Sequence, residues 1–131
     1  TDIVNRGFGA RFVDYLDESY DHVVFGLEYI QTVITNPPFS HFEDFVKKSL
    51  SLPNVKKIIM FGKLQALEGQ KRATFLEGTP LRTVYVFKKR QQPMRNGSEF
   101  DESGKRLSST MAFAWFVWEV GYEGRPEIKW I

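Results

Sequence analysis

The sequence predicts an α/β protein: a mixed sheet, helices on its faces and an antiparallel C-terminal strand. Three observations predict it. Runs rich in apolar, β-branched or aromatic residues recur at 31–35, 57–62, 83–87 and 112–118. Stretches with helical character separate the first three of these, an alternation typical of layered α/β folds. A long polar segment, 88–109, precedes the last run, which gives the chain room to turn back antiparallel.

The elements follow in order. Residues 1–4 look like a strand end, closed by Asn5-Arg6-Gly7 and Gly9. Residues 11–16 read as a short extended segment with Asp14 near its end. The region 17–29 is ambiguous, although Ser19 suits a helical cap. Residues 31–35 form a buried-type strand that runs into Asn36-Pro37-Pro38-Phe39. Ser40 with Glu43 three residues on has the capping-box pattern. Phe42, Phe45, Val46 and Leu50 then recur at helical spacing, with Lys47-Lys48 opposite, so a helix is expected to about Leu52, before Pro53. The continuous apolar run 57–62 predicts a strand covered on both faces. A second helix is expected over 67–76, broken by Gly78-Thr79-Pro80. Residues 83–87 and 112–118 are β-branched and aromatic strands, and 126–131 is a short terminal strand or extended tail. The 131 residues fit one domain.

Composition narrows the function classes. Hydrophobic residues are 42% and aromatics 15%, enough for a packed core. No run approaches the roughly 20 apolar residues of a membrane span, and no leader pattern is visible. Cys is absent, which excludes disulfides and thiolate metal sites and fits a cytoplasmic setting. His22 and His41 are too few for a His-based zinc site without carboxylate help. The net charge of +2 permits a nucleic-acid partner without demanding one. Acids crowd the first half and bases the middle. For any single Lys the better reading is a solvated face.

Asn36-Pro37-Pro38-Phe39 carries the chemistry. By chance such a tetrapeptide arises on the order of once in a thousand chains of this length. Proline fixes φ and holds the preceding residue extended, so Asn36 and Pro37 continue the strand outward. The Asn36 side-chain oxygen and the Pro37 backbone carbonyl then converge on one NH2 group, and Phe39 offers a face for a planar ring. The alternative is a Pro-Pro loop that merely stops a strand.

With this tetrapeptide in place, the chain resembles the adenine-N6 DNA methyltransferases of bacteria and their phages, which use S-adenosylmethionine. The resemblance spans residues 1–7, Val13-Asp14-Tyr15-Leu16, 35–40, 67–72, 84–87, 114–119 and 128–131. It implies a partial Rossmann-like methyltransferase fold. It assigns catalysis to Asn36, Pro37, Pro38 and Phe39, and cofactor binding to Asp2, Ile3 and Asp14. Asp2 would hold the ribose hydroxyls, Ile3 would pack on the cofactor adenine, and Asp14 would receive its amino group. There is one departure: the family's glycine-rich turn lies upstream of the acid matched to Asp2, and Gly7-Phe8-Gly9 falls after it. The chain thus reads as N-terminally truncated, with weak or no cofactor binding unless another chain complements it.

The implied reaction is direct methyl transfer to an exocyclic amine, with no metal. DNA phosphates would meet Arg72, Arg90, Arg95, Lys105 and Arg106. A solvated loop is the competing reading for the last four. Two rivals stand beside this function: an RNA or protein amino-methyltransferase, and a non-catalytic remnant that is a homodimer or binds nucleic acid. A role in restriction–modification or in phage self-protection is equally open.

Overall fold

A computed structural model of the chain describes residues 14–17, 30–91, 100, 104 and 111–131. Five strands form one sheet: β1 (Thr32–Thr35), β2 (Lys57–Lys63), β3 (Leu81–Val86), β4 (Phe113–Glu119) and β5 (Glu127–Trp130). Their spatial order is β1-β2-β4-β3-β5. β1 pairs parallel with β2 and β3 parallel with β5, while β4 runs antiparallel between β2 and β3. The expected antiparallel strand is therefore β4. The tail forms a real strand, β5, that runs parallel to its partner.

Two α-helices, α1 (Phe42–Ser51) and α2 (Gln70–Glu77), complete the layers. In register, Ile58, Met60 and Gly62 of β2 share a face with Trp118, Phe116 and Ala114 of β4. Both helices dock on this face. From α1, Val46 is fully buried and the Phe42 ring meets Phe116 edge-on at 5.2 Å. Burying each such side chain contributes about 1.5–3 kcal/mol. From α2, Leu76 joins the same core. No described helix covers the other face. There the Phe61 ring meets Phe113 and Trp115, both at 5.2 Å. The apolar run of β2 thus does have two packed faces, but the second is filled by aromatic side chains of the sheet itself.

Local details depart from the sequence reading in three places. The Ser40–Glu43 capping box does not form: α1 has no side-chain cap. A 3-10 turn, Phe39–His41, precedes the helix, and the extended residue where helical geometry begins is Pro38 (φ −54°, ψ 129°). Ser40 lies inside that turn and lacks the extended backbone an N-cap needs. Leu67 belongs to another 3-10 turn, Leu64–Leu67, and α2 starts only after Gly69 (φ 102°). Residues 14–17 form a turn rather than an extended segment, with the Asp17 N–H donating to the Asp14 carbonyl at 3.2 Å. The segments 1–13 and 18–29 and most of 92–110 lie outside the described residues.

Helix ends follow simple rules. Glu43 and Asp44 stand in the first turn of α1 and Lys48 in its last, each sign suited to the helix dipole. Leu52 returns to extended geometry before Pro53. The Gly78 N–H closes α2 on the Phe75 carbonyl at 3.1 Å, and Pro80 prevents continuation. Among the described residues no helix is long and apolar enough to cross a membrane.

Candidate functional site

β1, β2 and β3 point the same way, so their carboxyl ends share one edge of the sheet. In open α/β sheets ligands sit outside that edge. β1 delivers Asn36-Pro37-Pro38-Phe39 there, β2 delivers Lys63, and β3 leads towards Arg90. β4 begins at the same edge with Phe113. The Leu64 N–H donates to the Ala112 carbonyl at 2.8 Å, which pins the end of β2 to the start of β4.

Asn36 is exposed and Pro37 is buried. The Pro38 carbonyl is engaged, accepting the His41 N–H at 2.9 Å. Neither the Asn36 amide nor the Pro37 carbonyl has a hydrogen-bond partner among the described residues. Of these two acceptors the Asn36 amide is on an exposed residue and open to an incoming donor, while Pro37 is buried.

Phe39 is 39% exposed and firmly held. Its ring rests against Phe113 at 5.7 Å, and the Lys63 ammonium stands 4.9 Å from its centroid. Beside it a cleft of about 620 Å³ opens between the start of α1, the 64–67 turn and α2. Phe39, Glu43, Lys63, Gln65, Arg72 and Phe75 line it. The volume falls within the range of small-molecule sites. Of the candidate DNA contacts, Arg72 thus lines the same cleft as Phe39. Arg90 follows β3 at the same edge and is exposed. Arg95, Lys105 and Arg106 lie outside the described residues, as do Asp2 and Ile3.

Asp14 sits elsewhere. Its carboxylate accepts the Leu16 N–H at 2.9 Å, a local turn. The neighbouring Tyr15 stacks on Phe45 at 4.9 Å and donates to the Ser49 hydroxyl at 2.8 Å, since that hydroxyl donates onward to the Phe45 carbonyl. This docks the turn on α1. Among the described residues no hydrogen bond joins Asp14 to the 36–39 turn.

The Arg82–Glu119 pair lies at the opposite edge. The hydrogen bond from Arg82, opposed by desolvation and aided by Lys57 at 3.2 Å, holds the Glu119 carboxyl below the usual carboxylate range. Among the described residues no cluster of three or more His, Asp or Glu is placed to hold a metal ion.

No family model, curated protein or solved structure matches the chain. The site's description therefore rests on its own geometry. Sequence reasoning missed Lys63, Phe75 and Phe113 as site residues. A lysine closing an apolar strand has no local signature, and only the pairing of β2 with β4 brings Lys63 opposite Phe113.

Proposed function

We propose that this chain carries the amine-holding site of an S-adenosylmethionine-dependent methyltransferase acting on N6 of adenine in DNA. The supporting observation is the pair of acceptors on Asn36 and Pro37 that have no partner among the described residues, at the carboxyl edge of the sheet and followed by a partly exposed Phe39. An antiparallel strand inserted into an otherwise parallel sheet agrees with the partial Rossmann-like methyltransferase fold that the resemblance implies.

An adenine N6 lone pair is delocalised into its ring and is a poor nucleophile. The Asn36 side-chain oxygen and the Pro37 carbonyl accept its two N–H bonds and draw the lone pair out of conjugation. Their rigidity makes this a positional and electrostatic effect. Phe39 stacks on the base once it has left the duplex. The cofactor supplies a methyl group on a cationic sulfur. Asp2, Ile3 and Asp14 are proposed to hold its adenosine part on the strength of the resemblance. Of these, Asp14 is described, and its exposed carboxylate suits an amino group.

The test is methyl transfer from radiolabelled S-adenosylmethionine to duplex DNA, RNA and protein substrates. Label recovered as N6-methyladenine in DNA supports the reading. Label confined to RNA or protein moves the same chemistry to another substrate, and no transfer by the full-length protein rejects it.

A further inference from the structure

The cleft beside Phe39 has features that amine methylation leaves unused. Lys63 and Arg72 both line it, and neither forms an ion pair with a carboxylate among the described residues. The Lys63 ammonium instead lies over the Phe39 ring. Arg72 folds back over Gly69, where an added Cβ would stand 3.3 Å from its Nη2, so this glycine leaves room for the guanidinium. Phe39 and Phe75 also line the cleft, the latter with the Lys47 ammonium 5.3 Å from its ring centroid. Glu43 and Asp44 line it as well and repel a second anionic group.

We propose that this cleft is a nucleotide site: one phosphate contacts Lys63 and Arg72, and the attached base lies against Phe75 and the neighbouring apolar wall. A single phosphate answers two cations that have no carboxylate partner among the described residues, whereas a polyphosphate would meet the two acids. A flat, neutral base suits aromatic walls, and stacking on them is tolerant of sequence. Phosphate binding also draws Lys63 off Phe39 and frees that ring face. The site rests on the cleft alone and does not depend on methyl transfer.

The experiment is fluorescence anisotropy of the full chain, without cofactor, using a labelled single-stranded oligodeoxynucleotide of about ten nucleotides. Lys63→Gln and Arg72→Gln should each weaken binding roughly tenfold, as expected for loss of a charged hydrogen bond. Each should also reduce the salt slope by about 0.7. Lys71→Gln, beside Arg72 but outside the cleft lining, should leave affinity unchanged, and circular dichroism should show all three variants folded. Deoxyadenosine monophosphate should compete better than deoxyadenosine or inorganic phosphate. Equal effects of the Lys71 and cleft variants, or competition by inorganic phosphate as good as by the nucleotide, would overturn the assignment. Oligonucleotide binding that depends on Lys63 and Arg72 in a protein with no methyl transfer would leave this site standing while the proposed reaction fell.

Discussion

The Trp118 indole N–H donates to the Thr79 hydroxyl at 3.0 Å, tying β4 to the end of α2. Trp118 is fully buried, and the Thr79 hydroxyl in turn donates to the Leu76 carbonyl at 2.7 Å. Thr79 therefore satisfies the buried indole N–H, while the Leu76 carbonyl also accepts the Thr79 backbone N–H at 3.0 Å. Thr79→Val keeps the shape but leaves the buried indole N–H without this partner, while the Leu76 carbonyl keeps the backbone N–H of residue 79. It should cost about 1–3 kcal/mol of stability. Thr79→Ser should restore most of the loss. Urea unfolding of the two variants gives the comparison, and equal losses would show that the hydroxyl does not matter.

Gly62 lies where the site and the core meet. A Cβ there would stand 2.6 Å from Phe42 Cε2 and 3.2 Å from Phe116 Cε2. Both rings belong to the buried core and have little room to yield. Gly62→Ala should therefore destabilise by about 1–3 kcal/mol, the usual cost of overpacking. Trimming the obstacle with Phe42→Leu in the same chain should recover part of that loss, a non-additive pair. Thermal melts of the single and double variants would measure it, and strict additivity would deny the contact.

β1 to β4 were legible because each is a local apolar, β-branched or aromatic run, and the described structure places them within a few residues of the expected bounds, whereas β5 was legible only as a short terminal strand or extended tail. Their order was not legible. Inserting β4 between β2 and β3 depends on which apolar faces meet, and no local residue records that. The Ser40–Glu43 pattern resembles a capping box, yet the stiff Pro38 starts the turn earlier and takes the extended position. Arg82 carries no turn signal either, yet the register slips between Leu81 and Thr83, and its side chain reaches Glu119 across the sheet. Of the site, the Asn36–Phe39 turn was legible from proline chemistry. The cleft was not, because Lys63, Arg72 and Phe75 come together only when α2 folds onto the sheet.

Glu119 supplies a pH dependence whose sign is fixed. Its carboxyl titrates below the ordinary value of 4.5, chiefly through the hydrogen bond from Arg82. A depressed carboxylate contributes stability above the unfolded-state value and loses that contribution as pH falls through the folded value. Glu119→Gln should therefore lower Tm near neutral pH, and the gap to the parent protein should close as the pH drops below the carboxylate range. A gap that stays constant into acid would mean the loss comes from packing rather than charge.

The catalytic assignment makes a different kind of prediction, because Asn36 is exposed and makes no internal hydrogen bond among the described residues. Asn36→Ala should therefore leave folding intact. It should lower methyl-transfer turnover about 10²–10³-fold, the scale for removing one preorganised polar group. DNA affinity should change little, since phosphate contacts dominate it. Asn36→Asp keeps an acceptor oxygen in place and should retain more turnover than Asn36→Ala. Phe39→Ala should act differently, weakening binding of the flipped base by roughly 1–3 kcal/mol of lost stacking. Single-turnover methylation combined with DNA titration separates these effects. If Asn36→Ala reduced affinity and turnover equally, the amide would be serving recognition, and the two-acceptor mechanism would lose its central residue.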